Sequence, residues 1–87
     1  MTEESVFEFP CDFPIKVVGR AEPGFESLVA ELVAGHAAKP EADRVKSRLS
    51  RDGNFISITV TIVAESRAQL DAIYAALSGH ERVIMVL

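Results

Sequence analysis

The chain has 87 residues, 48% of them hydrophobic, and carries 9 Lys+Arg against 13 Asp+Glu for a net charge of -4. This length supports one hydrophobic core, and no apolar run approaches the ~20 residues of a transmembrane helix. The net negative charge argues against nucleic acid as a partner, because nucleic-acid-binding domains usually present a basic surface. The single cysteine excludes a disulfide framework.

The first residues are expected to form a tail. Residues 1–12 precede a single domain at residues 13–87, and Pro10 and Pro14 flank the entry to the first strand. The acidic start, Met1-Thr-Glu-Glu, differs from the basic start of a secretory signal. We therefore expect a cytoplasmic protein.

A strand and a helix follow the tail. Residues 13–19 alternate, with Ile15 and Val17 on one side and Lys16 and Val18 on the other, which predicts a strand. Pro23 suits the first turn of a helix. Behind it, one helical stripe recurs at i, i+3, i+4, i+7, i+8 and i+11: Phe25, Leu28, Val29, Leu32, Val33 and His36.

The middle of the chain predicts a hairpin. Residues 44–49 (RVKSRL) alternate charged side chains with Val45 and Leu49, and residues 51–54 (RDGN) are typical of a tight turn. Residues 55–62 then alternate without a break. Ile56, Ile58, Val60 and Ile62 are expected on one face, and Phe55, Ser57, Thr59 and Thr61 on the other.

A second helix and a last strand complete the chain. Ser66 and Gln69 have the spacing of a capping box, which predicts a helix start. Residues 82–87 (RVIMVL) form a last, almost wholly apolar strand.

The element order is therefore β-α-β-β-α-β, which predicts an α+β ferredoxin-like sandwich. Right-handed crossovers place both helices on one face of a four-stranded antiparallel sheet with the order 4-1-3-2. The second strand is then an edge protected by Arg44, Lys46 and Arg48, whereas the fourth strand is an apolar edge.

Four stretches of the chain carry a resemblance to a known family. They are residues 8–19 (EFPCDFPIKVVG), 35–37 (GHA), 50–60 (SRDGNFISITV) and 83–87 (VIMVL). On these the chain resembles the YbeD-like family of small bacterial proteins, for which a role in lipoate regulation has been suggested. The resemblance implies a fold similar to the ACT regulatory domains and no catalytic residues. No motif in the chain supports the lipoate link.

Candidate catalytic and metal-binding residues are few. Cys11 has no second cysteine, and Asp12 beside it disfavours a thiolate. His36 and His80 have no partner at metal-ligand spacing, and the acidic turn at Asp52 lacks further calcium ligands. We therefore expect no catalytic residue, cofactor or metal.

Two other functions share the predicted topology. An acylphosphatase-like phosphate loop would use Arg20, but Glu22 and Pro23 interrupt that loop, and its closing arginine is absent. An RNA-recognition module needs aromatic side chains on the central strands, where the sequence offers only Phe55. Both functions are therefore disfavoured.

The face of the sheet away from the helices is the candidate site. The expected interaction surface comprises Val18, Thr59, Thr61, Val63, Ile84 and Val86, and the opposite alignment of the last strand would still leave apolar side chains outside. Uncovered apolar surface usually marks an interface. We expect a non-enzymatic regulatory or interaction domain that binds a protein partner or itself, through this face or the last edge strand. Two alternatives are cover by the tail residues Phe7 and Phe9, and an ACT-like sensor of amino acids or lipoyl compounds at residues 19–24.

Overall fold

A computed structural model describes residues 8–38 and 40–87 of the chain. The elements are β1 (Cys11–Arg20), α1 (Phe25–Ala34), a 3₁₀ turn (Ala42–Arg44), β2 (Val45–Leu49), β3 (Phe55–Ala64), α2 (Arg67–Ser78) and β4 (Val83–Val86). The sheet has the order β2-β3-β1-β4, and all neighbouring strands are antiparallel. This arrangement confirms the predicted α+β ferredoxin-like fold.

Several element ends differ from the sequence prediction. β1 begins at Cys11, ahead of the expected start at residue 13, because Cys11 pairs with Ala64 and extends the ladder with β3. Phe9 packs against the core as well. The expected tail at residues 1–12 thus overlaps the folded domain, and residues 1–7 lie outside the described part of the chain.

α1 ends at Ala34 and does not reach His36, because Gly35 caps it.

The core lies between the sheet and the two helices. Side chains from one face of β1 and β3 meet the apolar stripes of α1 and α2, and the alternation predicted for β3 is observed. The buried residues are Ile15, Val17, Phe25, Val29, Val33, Ile58, Val60, Ile62, Ala64, Leu70, Ile73 and Leu77. Both helices therefore cover the same face, and residues 8–38 and 40–87 place no helix on the other face of the sheet.

The start of α2 is fixed by the residues that predict it. The Ser66 hydroxyl accepts a hydrogen bond from the Gln69 backbone N–H at 3.0 Å. The Gln69 side-chain oxygen accepts from the Glu65 N–H at 2.7 Å, one residue earlier than in the usual capping box. The Gln69 side-chain amide also donates to the His36 carbonyl at 3.0 Å and so links α2 to the end of α1.

Side-chain hydrogen bonds hold the hairpin between β2 and β3. The Asp52 carboxylate accepts from the Ser50 hydroxyl at 2.7 Å and from the Asn54 N–H at 3.1 Å. The Ser50 hydroxyl oxygen also accepts from the Phe55 N–H at 3.1 Å. Gly53 supplies the positive φ of 78° that the turn requires. The hydrogen bond from Ser50, followed by that from Asn54, lowers the pKa of Asp52.

The lowered pKa of Asp52 predicts an acid-dependent stability of the hairpin. A carboxylate whose pKa is lower in the folded state stabilises the protein above its unfolded pKa, and this stability is lost as pH falls through the folded pKa. Asp52→Asn should therefore lower the urea midpoint of unfolding at pH 7. The difference in midpoint should be smaller at pH 2.5 than at pH 7, because the stabilising charge is lost as pH falls through the folded pKa of Asp52.

A matched control separates this local effect from the change in net charge. Asp71→Asn removes the same charge from the exposed surface of α2. Its urea midpoint relative to the wild type should change little with pH. A gap between Asp52→Asn and the wild type that has the same size at both pH values would contradict the prediction.

Candidate functional site

Two neighbouring rows of side chains cross the middle of the uncovered side of the sheet. In an antiparallel sheet, residues directly opposite each other point to the same side. The register places Arg48, Ser57, Val18 and Met85 in one row. The next row holds Lys46, Thr59 and Lys16, and Leu87 completes it through reciprocal backbone hydrogen bonds with Lys16 at 3.1 and 2.7 Å. We call these eight residues, together with the adjoining Ile84, the open face.

A β-bulge concentrates apolar side chains at the β4 side of the open face. The register shifts between Val18 and Gly19, so that Met85 opposes Val18 while Val83 opposes Gly19. The extra residue, Ile84, is 54% exposed, and Met85 and Leu87 are 47% and 60% exposed. With Val18, these side chains form the apolar stripe of the open face.

The predicted interaction residues do not all lie together. Val18, Thr59 and Ile84 lie on the open face, on three different strands, and Thr61 is the next residue of β3 on the same side. Val63, which is 50% exposed, pairs with Asp12, six positions along β1 from Val18. At the rise of a strand this separation is about 20 Å.

Val86 requires a correction. It pairs with Val17, whose side chain is buried, and it packs against the core on the helix side. The bulge is the reason, because an extra residue between Val83 and Met85 reverses the alternation of the strand. Met85 and Leu87 occupy the open-face positions that simple alternation assigns to Ile84 and Val86.

The part of the open face that lies toward β2, away from the apolar stripe, is basic. Lys46 and Arg48 of β2 and Lys16 of β1 project from it, and all three are exposed. In the part of the chain that the structure describes, no carboxylate lies within ion-pair distance of these three side chains. We call them the basic stripe.

The only carboxylate within the four strands, that of Asp12, has its own cation. The Asp12 carboxylate forms an ion pair with Arg44 at 3.1 Å, at the far end of β1. The hydrogen bond to Asp12 raises the pKa of the Arg44 guanidinium. Asp12 is therefore not available to neutralise the basic stripe.

The loop after β1 is occupied by the chain itself. The Arg82 guanidinium donates to the Pro23 carbonyl at 3.1 Å and lies 3.6 Å from the Glu22 carboxylate. It also lies over the Phe25 ring, at 5.8 Å from the centroid. Arg20 lies over the Phe55 ring instead of pointing into the loop. Both arginines near this loop therefore already contact other residues of the chain, and neither is placed to bind a phosphate or an amino acid there.

The remaining candidate residues have local structural roles. Cys11 is half-buried and packs against the core, and the His80 ring nitrogen accepts from the Arg82 N–H at 3.1 Å. Residues 8–38 and 40–87 contain no group of three side chains that could hold a metal ion. Of the helices described, neither is long and apolar enough to cross a membrane.

Sequence reasoning misses the basic stripe and two residues of the apolar stripe. It assigns Lys46 and Arg48 only to protecting an edge, although the predicted strand order already aligns them with Lys16. It exposes Met85 and Leu87 only under the opposite alignment of the last strand, and does not include them in the expected surface. A lone glycine within a strand, here Gly19, is the available signal for the bulge that exposes them.

Comparison with known proteins places the chain in a family. The family model described as "Protein of unknown function (DUF493)" matches residues 4–87. A UPF0250 protein of Paraburkholderia phytofirmans is 49% identical over 84 residues, which cover 97% of this chain and 94% of that protein. A UPF0250 protein of Nitrosomonas europaea is 46% identical over the full length of both. The solution structure of protein HP0495 from H. pylori is similar in fold, with a TM-score of 0.70 at 19% identity, over 93% of this chain and 85% of that one. The chain therefore belongs to the DUF493 family, the YbeD-like bacterial proteins that its sequence motifs resemble.

Proposed function

We propose that this protein is a non-enzymatic interaction domain that binds a protein partner through the open face. The observation that carries the proposal is the apolar stripe. Ile84, Met85 and Leu87 are each about half exposed and lie side by side. Contiguous apolar surface is costly to leave in water and usually marks an interface.

Phe9 of the chain's own tail is not available to cover this surface. Phe9, one of the two aromatic residues considered for that role, packs against the core on the helix side. Phe7 lies outside the described residues. With Phe9 used in the core, a partner is the better-supported occupant of the open face.

The face itself is a better-supported contact than the β4 edge. Adding a strand to an edge requires a regular run of backbone donors and acceptors. β4 spans only Val83–Val86, and the bulge interrupts its register. Short, bulged strands are a common means by which proteins prevent strand addition.

The ACT-like sensor has less support. Its expected site, the loop at residues 19–24, already holds Arg82 through Glu22 and Pro23. At Gly19, where this segment begins, the Phe25 ring lies so close that there is no room even for an added Cβ atom.

Site-specific photo-cross-linking in bacterial cells tests the proposal. A photoreactive amino acid in place of Met85 should give a discrete protein adduct, and Ile84→Lys in the same chain should abolish it. The same photoreactive amino acid in place of Ala75, which is exposed on α2, should give none. Circular dichroism of each variant checks that the fold is retained.

The mass of the adduct distinguishes a partner from self-association. An adduct of twice the chain's mass would indicate a second copy, and any other discrete mass a different protein. Equal labelling from Met85 and Ala75, or no adduct from either position, would contradict the proposal.

A further inference from the structure

We infer that the open face receives an acidic amphipathic helix of the partner protein. This inference rests on the proposed function and specifies the chemistry of the partner. It is carried by the basic and apolar stripes, which lie side by side on one surface and both run along the strands.

Both stripes run along the strands, and the distance between them suits a single helix. Each of the two rows of the open face begins at a cation of β2 and ends at an apolar residue of β4. Neighbouring strands lie about 4.8 Å apart, so the rows are roughly 14 Å wide. A helix with its side chains is about 10–12 Å across. One helix lying along the strands can therefore contact both stripes at once.

The charge distribution of the domain favours an acidic partner. The four strands contain the cations Lys16, Arg20, Lys46 and Arg48, against the single carboxylate of Asp12, which is already paired. α1 has only acidic charges, Glu26 and Glu31. Although the chain has a net charge of -4, the open face is thus locally positive. Complementary charge of this kind steers association and orients the partner.

The surface between the stripes is shaped to receive side chains. A depression of 260 Å³ adjoins the row of Arg48, Ser57 and Val18 on the side of the β2–β3 hairpin, with Lys16 also in its wall, and Leu49 and Phe55 line the side toward the hairpin. The Ser57 hydroxyl donates only a long hydrogen bond, at 3.5 Å, to the Arg48 carbonyl. A glutamate that entered this depression would meet two cations and a hydroxyl, with apolar contact from Val18.

Other occupants match the open face less well. A strand added to the sheet would form hydrogen bonds with the backbone of an edge strand and would leave the side chains of the basic stripe without a partner. A nucleic acid would meet one exposed aromatic ring beside this surface, that of Phe55. It would gain little from aliphatic side chains such as Ile84 and Leu87, because bases stack on aromatic rings. A helix with an apolar stripe beside an acidic one uses both parts of the surface.

A synthetic peptide serves as the probe for this inference. The peptide is helical, with leucines at i, i+3, i+4 and i+7 and glutamates along one flank, and its control has glutamine in place of each glutamate. Fluorescence anisotropy at low salt should show saturable binding of the glutamate peptide. The glutamine peptide should bind about tenfold more weakly, because its ion pairs with the basic stripe are lost.

Variants of the protein test the stripes separately. Arg48→Glu should weaken binding of the glutamate peptide by about tenfold, because attraction is replaced by repulsion. Arg67→Glu, which makes the same charge change on α2, should leave binding unchanged. Met85→Gln should weaken both peptides alike, because it alters the apolar stripe without a change in charge.

The outcomes separate this inference from the proposed function. Equal binding of the two peptides, or equal effects of Arg48→Glu and Arg67→Glu, would overturn the acidic-helix inference. A protein adduct from Met85 would then still support the proposed function. Displacement of the peptide by a single-stranded DNA oligonucleotide, with the same dependence on Arg48, would overturn the inference in favour of nucleic acid. A dimer that Met85→Gln dissociates would overturn it in favour of a second copy.

Discussion

Gly19→Ala is expected to lower the free energy of unfolding by about 3 kcal/mol, because overpacking a closed site forces its neighbours to move. A Cβ atom at Gly19 would lie 2.5 Å from Cε1 of the Phe25 ring and 2.8 Å from the Arg82 carbonyl oxygen. The ring is fixed in the core, and the carbonyl belongs to the backbone before β4. Neither the ring nor the carbonyl group can move away without disturbing the packing where β1, α1 and β4 meet.

Urea unfolding monitored by circular dichroism measures this effect, and Gly35→Ala provides the matched control. Gly35 has φ -69° and ψ -17°, a helical conformation that alanine also adopts. Its nearest neighbour to an added Cβ is the Leu32 carbonyl oxygen at 3.6 Å. Gly35→Ala should therefore be neutral or stabilise by less than about 1 kcal/mol. Equal midpoints for the two alanine variants would contradict the close approach at Gly19.

The fold could be predicted from local patterns because the strongest of them agree with the tertiary structure. The alternation from Phe55 onward continues to Ala64, since a sheet with one covered face requires it. The start of α2 at Ser66 follows from hydrogen bonds that span only three residues. The start of β1 was less predictable, because Cys11 is held in the strand by its pairing with Ala64, more than fifty residues away.

The candidate site was only partly predictable for the same reason. Alternation correctly places Val18 and Thr59 on the uncovered side. It fails at Val86, because the bulge depends on how β4 aligns with β1, and no residue within β4 signals it. The basic stripe depends on residues of two different strands, so its charge becomes apparent only when β2, β3 and β1 are aligned. Interactions between distant segments, rather than local propensity, determine what the open face presents.

Phe25→Ala is expected to destabilise the protein by about 3–5 kcal/mol, the usual cost of removing a phenylalanine from a closed core. Phe25 is only 1% exposed and is among the largest fully buried side chains. Its ring lies against Gly19 and beneath the Arg82 guanidinium. Truncation would leave a cavity where the loop after β1 meets the start of α1. It would also remove the surface on which Arg82 rests.

Phe55→Ala is the control for the loss of Phe25, because an arginine lies over each of the two rings but only Phe25 is buried in the core. Phe55 is 38% exposed, and the Arg20 guanidinium lies over its ring at the same 5.8 Å as that of Arg82 over Phe25. Thermal and urea unfolding should show a loss below about 1 kcal/mol for Phe55→Ala, close to what an exposed cation–π contact contributes. Similar losses for both variants would mean that the arginine contact, and not burial in the core, accounts for the stabilisation by Phe25. In the Phe25→Ala background, Gly19→Ala should cost less than in the wild type, because the ring that the added methyl group meets is gone.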